Sequence, residues 1–194
     1  MKSKYFIFYS IFADFMSMRY GIKVFLMFLF FILACVPPQT HVNSSQSVSS
    51  KQNSNNQSNI ARNVLRSSNL SETRKSIIRT ADSLQGVPYL AGGSSPKGFD
   101  CSGFVQYVYG KSGISVLRRT DQQYMNGRKI SLNNIKAGDL VFFQTTSAKI
   151  SHVGIYVADG MFIHAPSTGK RVSYTSMENP YWKPRYKGSA SYIR

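Results

Sequence analysis

Ser151-His152-Val153-Gly154-Ile155-Tyr156-Val157-Ala158-Asp159-Gly160-Met161-Phe162-Ile163-His164-Ala165 decides the architecture. Two runs rich in Val, Ile, Phe and Tyr flank an Asp-Gly step, which is the composition and spacing of a β-hairpin. Side chains alternate along a strand, so Val153, Ile155 and Val157 point to one face and His152, Gly154 and Tyr156 to the other. If Ala158-Asp159-Gly160 is a three-residue loop, His152 stands opposite Pro166 and His164 lies diagonally beside it on the same face. A two-residue Asp159-Gly160 turn would send the histidines to opposite faces. An odd-numbered loop is therefore expected.

Outward from the hairpin, strand patterns run over Asp139 to Gln144, Arg171 to Thr175 and Ser189 to Ile193. Upstream the period changes to that of helices. Ser71 is placed to cap a segment with Ile77, Ile78, Ala81 and Leu84 at helical spacing, closed by Gly86. A second helix follows Asp100, with Cys101, Phe104, Val105 and Val108 on one stripe and Gly113 as its stop. Gly154 is expected to leave room for the end of this helix on the histidine face. Thr120 with Gln123 reads as a capping box that opens a third, short helix through Met125. Helices first and strands after is the order of an α+β fold, and no internal repeat is visible.

The chain has 194 residues, 42% of them hydrophobic, and a formal net charge of +16. That suits one compact domain with extensions and favours an anionic partner. Arg19 and Lys23 precede an apolar run from Val24 to Ala34, 11 residues long, which is short for a membrane span of roughly 20 residues and right for the core of a secretory signal. Ile32-Leu33-Ala34-Cys35 is similar to a bacterial lipobox, so residues 1–34 are expected to be a lipoprotein signal and Cys35 an acylated N-terminus; a plain cleaved signal is the alternative. Met16 or Met18 would make a more conventional start than Met1. Val36 after the cysteine points to the outer membrane, facing the periplasm, in a host with two membranes. Between Gln39 and Ile60, 16 of 22 residues are Ser, Asn or Gln, too polar to repay the entropy of ordering. Residues 35–70 are expected to be a disordered tether and 71–194 the folded domain. Without residues 1–34 the chain keeps 20 basic and 7 acidic residues. Outside the cell that basicity does not point to nucleic acid, and no zinc-finger spacing, basic heptad or RNA-binding signature is present.

The chemistry-bearing residues are Cys101 at a helix start, His152 opening a strand and His164 ending the next. A thiolate is the nucleophile, and free N–H groups at a helix N-terminus lower a cysteine pKa from about 8.5 toward 3.5–7.5; a nearby imidazole completes the pair. Asp100 opposes the thiolate. Each residue also has a plainer role: a lone cysteine is often a small core hydrophobe, and a strand histidine is often structural. One Cys and two His with a water could instead hold zinc, although no short-spaced ligand pair supports it.

Pro88-Tyr89-Leu90-Ala91-Gly92-Gly93, Phe99-Asp100-Cys101-Ser102-Gly103-Phe104-Val105, Ala137-Gly138-Asp139-Leu140-Val141-Phe142-Phe143, Ser151-His152-Val153-Gly154-Ile155-Tyr156 and Phe162-Ile163-His164-Ala165 together closely resemble the NlpC family of papain-like cell-wall peptidases, in order, over roughly residues 72–193. The resemblance implies helices packed on an antiparallel, partly barrelled sheet, and cleavage of peptidoglycan stem peptides without metal or organic cofactor. By position it implies Cys101 as nucleophile, His152 as base and His164 as the group that orients the base. Tyr89 is implied beside the oxyanion, and Asp100 and Ser102 in the substrate pocket. Arg118 and Arg119 stand where the family has a Pro-Arg pair, which leaves open the arginine that does its work. The expected partners are peptidoglycan and, through the lipid, the membrane, with the protein acting as a monomer. An amidase or acyltransferase on the same scaffold and a catalytically silent wall-binding lipoprotein are the competing functions.

Overall fold

The computed structural model describes residues 59–146 and 149–194. The signal segment, Cys35 and the tether as far as residue 58 lie outside the described residues. Helical structure is present before Ser71. Residues 59–66 form a helix, α1, whose Ala61 is buried in the core with Ile60, Val64 and Leu65 packed beside it. These four share one helical face, so the polar composition that runs up to Ile60 ends in an amphipathic turn rather than continuing to residue 70.

Three helices follow: α2 Glu72–Ser83, α3 Cys101–Lys111 and α4 Thr120–Asn126. Ser71 caps α2, its hydroxyl accepting from the Arg74 N–H, and Ile77, Ile78 and Ala81 form the buried stripe. A two-stranded hairpin, β1 Ser94–Ser95 and β2 Gly98–Phe99, precedes α3. The main sheet is antiparallel, with β3 Arg128–Ile130, β4 Leu140–Phe143, β5 His152–Ala158, β6 Met161–His164, β7 Ser173–Ser176 and β8 Tyr186–Ser191 in the order β3-β8-β4-β5-β6-β7. Its ends, β3 and β7, do not pair with each other, so the sheet is not closed into a barrel.

Alternation divides the sheet into two faces of different character. Leu140, Phe142, Val153, Ile155, Val157 and Ile163 pack with Ile77, Ile78, Phe104, Val105 and Val108 of the helices. The opposite face carries Val141, Phe143, Phe162, Met177 and Trp182. Helix α3 therefore lies against the Val153 face, and Gly154 serves another neighbour than the one expected: a Cβ there would collide with the Phe162 ring.

The hairpin reaches its expected register by an unexpected route. Ile155 pairs with Ile163 and Tyr156 with Phe162, but Ala158 pairs with Met161 across a register shift between Tyr156 and Ala158. The turn is the two-residue Asp159-Gly160, with φ values of 51° and 70° that mark the left-handed pair of a tight hairpin turn. An extra residue in the strand, a β-bulge, supplies the odd count that the loop was expected to supply. His152 and His164 consequently share a face.

The capping box at Thr120 does not form. Arg119 is the N-cap and makes no side-chain cap. Thr120 is the first helical residue, and buried Gln123 donates from Nε2 to the carbonyls of Ser102 and Leu117. Tertiary partners take both side chains.

Candidate active site

Cys101 owes its place to the residues on either side. Asp100 caps α3, its Oδ1 accepting from the Gly103 N–H at 2.7 Å, while its own N–H donates to the Gly93 carbonyl at 3.0 Å. A Cβ at Gly103 would strike that carbonyl, so the β1–β2 hairpin packs on the first turn of α3 because residue 103 has no side chain. Arg118 closes the arrangement. It donates to both Asp100 oxygens, at 3.0 and 2.5 Å, and to the Ser102 hydroxyl at 2.9 Å. Burial raises the Asp100 carboxyl, but the Arg118 hydrogen bond, the Gly103 N–H and the Arg118 charge outweigh it and hold the group below its ordinary range. Arg119 turns outward to Asp121. Of the two arginines, Arg118 is the one bonded at the head of α3.

The sulfur lies between α4 and the start of β5. It is 3.7 Å from Thr120 Oγ1, and its S–H donates to the Ser151 carbonyl at 3.8 Å. The N–H groups of Val153 and Ser102 also face it, on the side that favours the thiolate. Because Ser151 and Val153 flank His152, the thiol sits beside the histidine's backbone. An open cleft of about 510 Å³ exposes the cysteine, lined also by Tyr89, Asp100, Ser102, Arg118 and Lys149.

Neither histidine lines that cleft. His152 is 4% and His164 2% exposed, and His152 Nε2 is 2.7 Å from His164 Nδ1. Trp182 covers the pair, with ring centroids 4.7 Å from His152 and 4.9 Å from His164; Phe143 and Phe162 complete the box. Burial pushes His152 down to about 3. Burial, then the charges of His152 and Lys170, push His164 well below its ordinary value. Both rings are neutral at pH 7.

The thiol moves the opposite way from the sequence expectation. Burial raises it; the Thr120 hydroxyl opposes the rise, and the Asp100 charge adds to it. Desolvation outweighs the helix end. Tyr89 is likewise raised, by burial and then by the Cys101 and Asp100 charges, so its hydroxyl keeps its proton as a donor.

The six expected site residues of the domain fall into two groups, one at the start of α3 and one on the sheet. Tyr89, Asp100, Cys101 and Ser102 lie at the cleft, and His152 with His164 lie behind it. Cys35 lies outside the described residues. Among those residues no group of three His, Cys, Asp or Glu side chains is placed to hold a metal ion, and no helix is long and apolar enough to cross a membrane. Thr120, Ser151 and Trp182 were not foreseen in the site. Thr120 carried only a capping signal, the Ser151 contribution is a backbone carbonyl, and Trp182 arrives from a connection with no periodicity.

The NlpC/P60 family model matches residues 86–191. The murein DD-endopeptidase MepS/murein LD-carboxypeptidase of Escherichia coli K12 is 37% identical over 150 residues, 77% of this chain and 75% of that protein. The gamma-DL-glutamyl hydrolase of Bacillus subtilis is 44% identical over 115 residues, 58% of this chain. This chain spans 28% of that hydrolase and 33% of the probable peptidoglycan endopeptidase LytE of the same organism. Among solved structures, a protein described as similar to lipoprotein of the NLP/P60 family, from Staphylococcus aureus Mu50, superposes with a TM-score of 0.59 at 37% identity, covering 64% of this chain and 43% of that one.

Proposed function

The chain belongs to the NlpC/P60 family, and from that premise we propose that it is a cell-envelope cysteine endopeptidase that hydrolyses amide bonds in peptidoglycan stem peptides. The observation that carries the reading is the His152–His164 hydrogen bond behind a cleft that exposes Cys101. His152 Nε2 is committed to His164, which leaves Nδ1 as its free nitrogen. For Nδ1 to take the thiol proton, Nε2 must carry a hydrogen and donate to His164 Nδ1, so the pair of bonds also sets the tautomers.

Cys101 gives its proton to His152 Nδ1 and attacks the amide carbon. The imidazolium strengthens its bond to His164, then passes the proton to the leaving amine. Water, deprotonated by the same imidazole, cleaves the thioester and regenerates the thiol. The Cys101 N–H and the Tyr89 hydroxyl hold the developing oxyanion, a contribution of about 3–4 kcal/mol for a well-placed donor. Asp100, Ser102 and Arg118 form a polar, charge-bearing rim for the peptide, in a chain whose net charge of +16 suits an anionic wall polymer. No step calls for a metal or organic cofactor.

Acylation of Cys35 would fix the domain to the membrane through the polar segment that follows it. Two or more acyl chains hold a protein there stably where one does not. Mass spectrometry of the mature N-terminus checks this: acylated Cys35 is expected, and an unmodified terminus farther along the chain refutes it. The catalytic reading is tested by digesting purified muropeptides and identifying the products by mass. Cleavage within or between stem peptides is expected. Intact muropeptides beside a protein that still binds the wall would favour the silent wall-binder.

A further inference from the structure

The thiol of Cys101 has two oxygen neighbours of different kinds, one that can only accept a hydrogen bond and one that can also donate. The Ser151 carbonyl at 3.8 Å accepts only, so it holds the S–H and repels a thiolate. The Thr120 hydroxyl at 3.7 Å can rotate to donate. Thr120 is nearly buried, stands at the first position of α4 where an N-cap role was expected, and makes no other side-chain hydrogen bond among the described residues. Its main-chain neighbours are fixed: Gln123 ties the segment to α3 through the Ser102 carbonyl at 3.0 Å, and Arg118 ties it to Asp100.

We propose that Thr120 is a catalytic residue, whose hydroxyl donates to the Cys101 sulfur when the thiol proton moves to His152, replacing the bond to Ser151 that the sulfur then loses. Only one S–H bond breaks and one N–H bond forms; the Thr120 proton stays on its oxygen throughout. The donor offsets the Asp100 carboxylate next to the nucleophile. The other titratable or charged groups that interact with the sulfur are Arg118 and Tyr89, and Arg119, Asp121 and Lys149 line the same cleft. This assignment rests on Cys101 being the nucleophile, but its test reads the thiol directly.

The second-order rate of iodoacetamide addition to Cys101 is measured against pH in the full chain, with the Cys101 peptide quantified by mass spectrometry so that Cys35 does not contribute. Thr120→Val is expected to lower the rate at pH 7 about tenfold and to raise the midpoint by about one pH unit, and Thr120→Ser to restore both. If Thr120→Val does not fold, Thr120→Ala carries the same expectation. A hydroxyl-free variant with the wild-type profile, or a serine variant as slow as the valine one, overturns the assignment. If the profile shifts as expected while Cys101→Ala still digests muropeptides, Thr120 tunes the thiol and the nucleophile reading falls instead.

Discussion

At the head of α3, Asp100, Ser102 and Arg118 are held by charge-assisted hydrogen bonds at the mouth of a cleft, whereas His152 and His164 are sealed among Phe143, Phe162 and Trp182 on the far face of the sheet. Cys101 stands where the two regions meet. The charged region fixes position because its ion pair is bidentate and offsets the cost of partly burying Asp100. The aromatic region fixes protonation, because imidazolium has no counter-charge there. The difference teaches that the resting pair is a thiol and a neutral imidazole.

The largest effect tests the closed region. His152→Ala is expected to lower muropeptide turnover about 10⁴-fold with the fold retained, because proton transfer in both half-reactions is lost. Activity within tenfold of wild type would remove the histidine from the mechanism. His164→Ala is expected to cost about 100-fold, since the base remains but its tautomer and ring orientation are no longer held. His164→Asn should recover part of that loss by again offering an acceptor to His152 Nε2. Equal activities for the two variants would reduce His164 to packing.

The enclosed pair also predicts how the protein responds to acid. Both histidines are depressed in the folded state, His152 to about 3, while the unfolded chain binds protons near pH 6.5. The unfolded state therefore holds more protons below that value, and stability falls as the pH is lowered. Denaturant titrations at pH 7 and pH 5 should differ by about 2 kcal/mol for His152, with His164 changing stability in the same direction. Equal stabilities would show that the rings are solvated or charged. The smallest effect tests the charged region. Asp100→Asn keeps an N-cap but removes the carboxylate that opposes the thiolate, so alkylation of Cys101 at pH 7 should rise about threefold even as peptide binding weakens. A slower alkylation would contradict the role given to that charge.

Much of this was legible in the sequence, and the remainder has physical reasons. The Asp100 cap and the helix starting at Cys101 follow from local periodicity, which the structure keeps. The hairpin shows where such reasoning thins out. Asp159-Gly160 signals a two-residue turn, and the bulge at Val157 that restores the parity has no signature of its own, being a backbone choice at one valine. Helix α1 was hidden because Ile60, Ala61, Val64 and Leu65 follow a long polar run and find their partners only in the tertiary core. The direction of the thiol shift was misjudged for a related reason: the helix end is visible in the sequence, while the burial that outweighs it comes from elements far along the chain.

The central claim is that Cys101 forms a thioester with one half of the cleaved peptide. Intact-protein mass spectrometry of samples quenched in acid within the first turnover tests it, followed by mapping of the adduct. The account predicts a mass increase equal to the acyl half of the muropeptide, located on Cys101, labile to hydroxylamine and absent from Cys101→Ala, which releases no product. Undiminished hydrolysis by Cys101→Ala, or turnover by the wild type with the adduct on another residue, would contradict it.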